Sequence, residues 1–388
     1  MRTLSLSEAH VEVLDCEHRT PAPAPSGHPY IAIPDIQQGR VALETTRRIS
    51  SSDLLDWTRR TKPQRGDILV TRRGRVGDTA PIPTGDCAIG QNLVLLRSDG
   101  SLVDQGYLRW ATRSPLWRSE TDRLMNVGAV FSSLNVGDIG KMRIPVPPFP
   151  EQQAIAEVLG ALDDKIAANR ALVTSSVQLT ESLFTRTTQG LVLAPLSSIA
   201  IVNGDTIKPR AGDLRYIDIA AVSTDDYASP TPRSWANAPS RARRRVHHGD
   251  TLWSTVRPNR RARALVLEDD PTLVASTGLV TLSPRHQGFS FLHEATRTGA
   301  FADYLVANAE GSAYPAVTAS KFDRAPVPAA DADTIVAFNR LTDPLWERVG
   351  SARAEITTLA SLRDTLLPAL MDGTLRVKDA ARVASEVL

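Results

Sequence analysis

Cysteine and long apolar runs are scarce in this chain of 388 residues. Its cysteines, Cys16 and Cys87, are too few for a disulfide framework and lack the spacing of zinc ligands. No apolar run approaches the roughly 18 residues of a membrane span, and the N-terminal MRTLSLSEAH has no apolar secretory core. We therefore expect a protein of the reducing cytoplasm rather than a secreted disulfide scaffold or a membrane protein.

An excess of charge of either sign is also missing. Lysine and arginine together number 45 and aspartate and glutamate 43, for a formal net charge of +2. This balance excludes a uniformly basic nucleic-acid-binding protein, so binding to DNA would require basic residues concentrated in one place. The length predicts two or three domains, each with its own core.

A long amphipathic helix is predicted near the middle of the chain. Residues 144–150 contain four prolines, which favour an extended segment followed by a helix start. Apolar residues then recur at coiled-coil spacing around Asn169, a polar residue of the kind that fixes register. The predicted seam consists of Ile155, Leu159, Leu162, Ile166 and Val173. A helix of about 38 residues would be about 57 Å long, and it would need a partner helix.

A second apolar stripe near the C-terminus predicts that partner. Its seam includes Val349, Ile356, Leu359 and Leu366. Gly373 is expected to cap the C-terminal end, and a kink or broken turn is expected at Pro344 and at Pro368. Ordinary core helices of a globular domain would show similar stripes, but the length of both stripes favours a coiled coil.

The chain also repeats itself at an offset of 181 to 186 residues. The matching segments are YIAI at 30–33 and YIDI at 216–219, GDIL at 66–69 and GDTL at 249–252, LVLL at 93–96 and LVTL at 279–282, and PVP at 145–147 and 326–328. Four matches in one order indicate an internal duplication. Each repeat consists of a globular region, a proline segment and a long helix. Short strand-like runs between Gly, Pro, Ser and Asp residues predict that the globular regions are mixed and β-rich.

The predicted fold class is therefore α+β. Two mixed, β-rich domains form a pseudo-two-fold repeat and are separated by two long antiparallel helices that form a coiled coil. The predicted boundaries are 1–148 for the first domain, 149–190 for the first long helix, 191–329 for the second domain, 330–375 for the second long helix and 376–388 for a C-terminal tail.

Basic residues are concentrated at one equivalent place in both repeats. The first cluster consists of Arg59, Arg60, Lys62, Arg65, Arg72, Arg73 and Arg75. The second consists of Arg241, Arg243, Arg244, Arg245, Arg257, Arg260, Arg261 and Arg263. Either cluster alone is compatible with an ordinary solvated surface, but two clusters at matching positions favour a polyanion-binding surface. Arginine pairs with phosphate and also binds guanine bidentately in the major groove.

Several segments resemble the specificity subunits of type I restriction–modification enzymes. Residues 144–172, IPVPPFPEQQAIAEVLGALDDKIAANRAL, are similar to their central conserved helix, and residues 338–377 are similar to their distal conserved helix. Residues 13–21 and 66–77 resemble parts of their target recognition domains. The second repeat departs from the pattern, because PVPAADADTIV replaces the PPFPEQQ of the first.

The resemblance implies a non-catalytic subunit whose two target recognition domains each read one half of an asymmetric bipartite DNA site. It implies that the two helices pair antiparallel and set the spacer between the halves. It also implies two modification subunits as partners, which bind S-adenosylmethionine and methylate adenine. Two restriction subunits with ATP-driven activity are a further implied partner, and the sequence leaves their presence open. No cofactor or metal is expected on this chain itself.

Other interpretations follow from the residues. A coiled-coil adaptor that binds only proteins is the main alternative, with the arginines as plain surface. A methyltransferase or nuclease is disfavoured, because Val146 precedes Pro-Pro-aromatic where an amino-methyltransferase needs Asn, Asp or Ser. Asp163 and Asp164 are interpreted as solvated charge, since consecutive helical residues do not face each other. Residues 15–18 contain metal-binding groups, but their spacing matches no zinc pattern, so a turn or a DNA-facing loop is favoured.

Overall fold

The computed structural model describes residues 2–128 and 132–388, which cluster into two compact units. Unit 1 comprises the residues up to Ala167 together with Ile356–Leu388, and unit 2 comprises Ala168–Glu355. The boundary falls inside two long helices, so each unit contains one half of each helix. Among the described residues, no helix combines the length and apolarity needed to span a bilayer.

Unit 1 is built on a four-stranded antiparallel sheet with the order β2-β10-β7-β8. The strands of this unit are β1 (Arg2–Ser5), β2 (Val11–Asp15), β3 (His28–Ile31), β4 (Ile36–Gln37), β5 (Arg40–Val41), β6 (Arg47–Ile49), β7 (Ile68–Thr71), β8 (Thr79–Pro81), β9 (Ala88–Ile89), β10 (Leu93–Ser98), β11 (Asn126–Val127), β12 (Ser132–Ser133) and β13 (Arg143–Val146). The helices are α1 (Ser51–Trp57), α2 (Gln105–Ala111), α3 (Pro115–Leu124), α4 (Val136–Ile139) and the first half of α5 (Phe149–Thr188).

Unit 2 repeats this plan with the sheet order β15-β22-β19-β20. Its strands are β14 (Leu193–Pro195), β15 (Ala200–Val202), β16 (Asp213–Ile217), β17 (Pro232–Ser234), β18 (Ala242–Arg245), β19 (Thr251–Ser254), β20 (Arg263–Leu265), β21 (Leu273–Ser276), β22 (Leu279–Pro284) and β23 (Pro326–Pro328). Its helices are α6 (Ser290–Arg297), α7 (Gly299–Ala307), α8 (Ala319–Asp323) and the first half of α9 (Ala332–Asp372). After α9, the short helix α10 (Val377–Ser385) belongs to unit 1.

The internal duplication is present in the strand pairing as well as in the sequence. In unit 1, β3 pairs parallel with β9 and antiparallel with β6, and in unit 2, β16 pairs parallel with β21 and antiparallel with β17. The proline-containing strand β13 pairs with β1, and its counterpart β23 pairs with β14. The predicted mixed fold with a repeated architecture is therefore confirmed.

Each main sheet separates two hydrophobic cores. Successive strand side chains point to opposite faces, so in unit 1 Val94 and Leu96 pack toward α2 and α5, while Leu93 and Leu95 pack toward β3 and β9. Because both faces are covered, all four residues of β7 are buried. This explains why the central strands are continuous apolar runs instead of alternating polar and apolar residues.

Helices α5 and α9 pack against each other and run antiparallel. In unit 1 the first half of α5 shares a core with the second half of α9, and the seam residues in that core are Ile155, Leu159, Leu162, Ile166, Leu359 and Leu366, with Ile356 partly buried beside them. In unit 2, Val349 is buried and Val173 is partly buried beside it. Farther along the same pair, the ring of Phe184 lies 5.8 Å from that of Phe338. The predicted pairing of two long helices is confirmed.

Two predictions about α9 have different outcomes, one for its C-terminal cap and one for its prolines. Gly373 has a φ of 78° directly after the helix, so the predicted glycine cap is confirmed. The helix continues through Pro344 and Pro368, so the prediction of a broken turn at either proline is wrong. One proline removes a single intrahelical hydrogen bond, and burial of the flanking apolar residues maintains the helix on both sides.

The interpretation of Asp163 as solvated charge is wrong. Its side chain is only 3% exposed, and it accepts hydrogen bonds from Arg109 of α2 and Arg363 of α9. Arg113 adds a third guanidinium 3.9 Å away. The prediction rested on the fact that consecutive helical residues do not face each other, and this does not describe the contacts of Asp163 with α2 and α9. Its neighbour Asp164 is exposed, as expected.

We predict that Asp163→Asn destabilises unit 1 by about 3 kcal/mol or more. The substitution keeps the shape of the side chain but leaves Arg109 and Arg113 without their counter-charge and Arg363 with only Asp364. The exposed Asp164→Asn is the matched control and should change stability by no more than about 0.5 kcal/mol. Urea unfolding of the two variants measures the difference. An equal effect of both substitutions would contradict the ion cluster.

Candidate nucleic-acid interface

The first arginine loop connects β7 to β8, and glycines fix its shape. Gly74 and Gly77 have φ values of 68° and 81°, a region that side chains rarely adopt. A Cβ on Gly77 would lie 2.5 Å from the Thr121 side chain, and the Gly77 carbonyl accepts a hydrogen bond of 2.9 Å from the Trp117 indole. Helix α3 therefore holds one side of the loop in place.

The three arginines of this loop have different surroundings. Arg72 is half-buried, and its Nε donates to the Leu134 carbonyl at 3.1 Å. Arg75 donates to the Ile33 carbonyl at 2.8 Å and lies 3.5 Å from the Asp78 carboxylate. Arg73 is exposed, and its side chain has no partner among the described residues. Arg72 and Arg75 thus brace the loop, while the Arg73 side chain is available to a ligand.

The structure does not bring the whole first cluster together. Arg65 and Lys62 are exposed but precede β7, whereas the arginine loop follows it, and four strand residues span about 13 Å. Arg59 pairs with Asp56 at 2.6 Å, and Arg60 pairs with Asp15 at 3.2 Å. Because β2 and β7 both run antiparallel to β10, Asp15 lies at the same end of the sheet as the loop.

Sequence reasoning missed two amide side chains beside the loop. Gln91 and Asn92 lie just before β10 and line a cleft of about 370 Å³ together with Arg47. The Asn92 carbonyl accepts the backbone N–H of Arg72 at 2.9 Å, which places the amides next to the arginines. Asn and Gln bind adenine bidentately in the major groove. The internal repeat could not point to these amides, because the second repeat has Thr277 and Gly278 at the matching positions.

Asp15, Cys16 and His18 have potential metal-binding atoms within 4.8 Å of one another. These groups already satisfy each other and their neighbours. His18 lies 3.1 Å from the Asp15 carboxylate, and the Cys16 thiol donates to the Gly90 carbonyl at 3.2 Å. Burial is the main cause that raises the pKa of Cys16 to about 11, which disfavours the thiolate that a metal would need. We interpret the group as a hydrogen-bonded turn.

The second cluster is divided between two sheets. Arg243, Arg244 and Arg245 are half-buried on β18, which pairs with β21, whereas Arg257, Arg260 and Arg261 lie on the β19–β20 connection. Burial lowers the pKa of Arg244, and Arg245 lies 3.7 Å from Asp205. Arg241, just before β18, is exposed. The strand arginines therefore contribute less accessible charge than their sequence suggests.

The β19–β20 connection is the counterpart of the first arginine loop. Arg257 and Arg261 have φ values of 53°, and both flank a tight turn at Pro258–Arg260. The guanidinium of Arg257 lies 4.7 Å from the ring centre of Tyr314, and Arg261 lies 3.5 Å from the Asp303 carboxylate. Arg260 is exposed.

Arg263 does not belong to this surface. Its side chain is 6% exposed and lies 2.7 Å from the Asp225 carboxylate, and burial is the main cause that lowers its pKa. Including it in the basic surface cluster is therefore wrong. The physical reason is its position on β20, where its side chain points into the unit toward the partly buried Asp225.

Backbone hydrogen bonds show which residues occupy equivalent places in the two loops. In unit 1, the backbone of Arg72 donates to the Asn92 carbonyl at 2.9 Å and accepts from the Leu134 N–H at 2.9 Å. The next residue, Arg73, forms an antiparallel bridge to Ser133. The backbone of Arg72 and Arg73 is thus held between Asn92, just before β10, and residues 133–134 at the end of β12.

In unit 2, the same backbone bonds are made by residues of a different type. Thr255 donates to the Gly278 carbonyl at 3.0 Å and accepts from the Val317 N–H at 2.8 Å. Val256 forms the antiparallel bridge, to Ala316. A threonine and a valine therefore stand where unit 1 has its two arginines, so the two loops share a scaffold and differ in chemistry.

The sequence matches a known family over part of its length. Residues 22–174 match the family described as the type I restriction modification DNA specificity domain. The matching segment covers less than half of the chain. It includes the first arginine loop, the cleft beside it and the first part of α5. The resemblance to type I restriction–modification specificity subunits that is visible in the sequence is confirmed.

Known proteins, two of which are described next, are similar to the chain. A protein of Methanocaldococcus jannaschii, described as a candidate specificity subunit of the type I restriction enzyme MjaX, is 35% identical over 104 residues. That match covers 27% of this chain and about a quarter, 24%, of the relative. The crystal structure of the S subunit of a type I restriction–modification system from M. genitalium matches with a TM-score of 0.67 at 14% identity, over 95% of this chain and 96% of that chain. At this identity the match demonstrates a shared fold.

We predict that Gly77→Ala displaces the first arginine loop. Alanine would adopt an unfavourable φ, at about 1–3 kcal/mol, and its Cβ would overlap Thr121. Gly100→Ala is the matched control, because Gly100 has a φ of 79° but nothing lies within 4 Å of the added Cβ. Unfolding measurements should give a larger loss for Gly77→Ala, by roughly a further 1–3 kcal/mol. Equal losses would mean that contact with α3 does not constrain the loop.

Proposed function

We propose that this protein is a non-catalytic DNA sequence-specificity subunit of a type I restriction–modification complex. Each unit would read one half of an asymmetric bipartite site, with unread base pairs between the halves. The observation that carries the proposal is the pair of equivalent loops with unlike side chains. A duplicated scaffold that bound one repeated ligand would not need an Arg-Arg sequence in one loop and Thr-Val in the other.

Charge and hydrogen-bonding groups support DNA as the ligand of unit 1. The exposed Arg73 lies on the same end of the sheet as the amides of Gln91 and Asn92. Guanidinium groups contact phosphates and guanine, and amides contact adenine, so this combination can supply both affinity and base selection. A protein-only adaptor gives no reason for these side chains to converge.

The long helices would serve as the ruler between the half-sites and as the docking region for partners. Their mutual burial makes them suited to hold a fixed length, since a helix rises 1.5 Å per residue and its backbone is fully hydrogen-bonded. Two modification subunits would supply S-adenosylmethionine and adenine methylation, and restriction subunits with ATP would join the same complex. This chain would contribute no cofactor and no catalytic residue.

We predict that DNA binding by the complex of this chain with its modification subunits falls steeply as salt rises. Each neutralised phosphate contributes a slope of about −0.9 to the plot of log binding constant against log salt. Arg73→Gln should reduce the magnitude of the slope by about one if Arg73 contacts phosphate, whereas the control Arg123→Gln should leave it unchanged, because Arg123 pairs with Glu120 at 2.6 Å. Fluorescence anisotropy measures both. A complex without measurable DNA binding would favour the adaptor.

We also predict that the double substitution Arg72→Ala, Arg73→Ala impairs the reading of one half-site. Recognition by unit 2 should persist, since its loop is held by its own backbone bonds. Sequencing of methylated adenines in a genome that carries the variant complex measures base preference at each position. Arg260→Ala in unit 2 is the control and should leave base preference in the half-site of unit 1 unchanged. Loss of preference in both halves would contradict two independent reading units.

A further inference from the structure

The loop of unit 2 must recognise its ligand with different residues from those of unit 1. Thr255 and Val256 hold the places of the double arginine, and both side chains are short. Thr255 is further occupied, because its hydroxyl donates to the Gly278 carbonyl at 2.9 Å. Arg257 follows them and is the first residue of this loop with a long cationic side chain. It is therefore the first that can extend from the loop toward a ligand.

Arg257 is oriented before any ligand arrives. Its backbone adopts a φ of 53°, and its N–H donates to the Pro315 carbonyl at 2.7 Å. Its guanidinium carbon lies 4.7 Å from the ring centre of Tyr314, which is 69% exposed. Contact between the guanidinium group and the ring restricts the side chain but does not use its N–H donors in hydrogen bonds.

The segment that carries Tyr314 is itself fixed. Glu310 and Ala316 exchange backbone hydrogen bonds of 2.9 Å and 2.8 Å, and Ala316 also bridges to Val256. Two adjacent hairpin segments therefore hold the aromatic ring and the guanidinium group next to each other. Within the part of the chain that the structure describes, no carboxylate pairs with Arg257, whereas Arg261 on the same loop lies 3.5 Å from Asp303.

We propose that Arg257, oriented by Tyr314, is the specificity-determining residue of unit 2 and reads a guanine in the major groove of its half-site. This inference rests on the proposed function. A phosphate contact depends mainly on charge, and lysine can also provide it as a point charge. Bidentate recognition of guanine O6 and N7 requires a planar fork held in one direction, which is what the ring contact provides.

The test compares variants of this chain in the complete complex with the modification subunits. The complex methylates a plasmid library with randomised bases, and sequencing of methylated adenines gives base preference at each position. Arg257→Lys keeps the charge and the backbone conformation but loses the fork. We expect it to reduce the preference for guanine at one position of one half-site by about 5- to 150-fold. The other half-site should be unaffected.

Tyrosine variants and a loop control separate orientation from charge. Tyr314→Phe keeps the aromatic face and should retain guanine preference, while Tyr314→Ala should weaken it at the same position as Arg257→Lys. Arg260→Ala removes an exposed charge from the same loop and should lower methylation at all sites alike.

Two results would overturn the inference. One is uniform loss of methylation in Arg257→Lys with base preference unchanged, which would assign Arg257 to phosphate. The other is an unchanged sequence motif in both Arg257→Lys and Arg257→Ala. Failure of the proposed function would give a different result, because the wild-type complex itself would then methylate without a bipartite sequence preference. That result would also contradict the inference about Arg257.

Discussion

Burial of the two long helices is the constraint on which the rest of the structure depends. Helix α5 has 40 residues with apolar positions on more than one face, so it would expose too much apolar surface alone. One face meets α9 and another meets the adjoining domain. The buried Gln152 amide binds the backbone just before α2, and the buried Asn339 amide of α9 binds the backbone around the start of α6. Both repeats therefore attach a domain to a long helix by the same kind of bond.

Features with a local or periodic cause were predictable from the sequence. Strand β19 has the bounds expected from the TLWS run, because a short apolar run between Gly-Asp and Thr-Val-Arg-Pro has few alternatives. The paired long helices follow from heptad spacing. The surroundings of Asp163 could not be predicted in the same way, since heptad analysis describes a helix with one partner. Asp163 contacts Arg109 of α2 as well as Arg363 of α9, and the contact of α2 with α5 is a tertiary feature without a sequence period.

The candidate interface was predictable only in part. The sequence shows arginines at matching positions of both repeats. Residues that are close in sequence can nevertheless lie at opposite ends of one strand or in different sheets. A strand carries its two ends apart, which separates Arg65 from Arg72, and β18 and β19 belong to different sheets. Arg263 is turned inward by the alternation of β20. The sequence did not indicate Tyr314, because its contact with Arg257 joins two residues that are distant in sequence and adjacent only after folding.

The two loops illustrate how a duplicated fold can carry unlike side chains on one backbone scaffold. Their positions are set by backbone hydrogen bonds from Arg72 and from Thr255, and such bonds do not depend on the side chain. Side chains at the loop can therefore change without loss of the scaffold, whereas the residues that hold the loop cannot. Gly77 is of the second kind, since α3 leaves no room for a Cβ. The two loops therefore differ at side-chain positions on the loop surface, while the backbone contacts that hold each loop are the same.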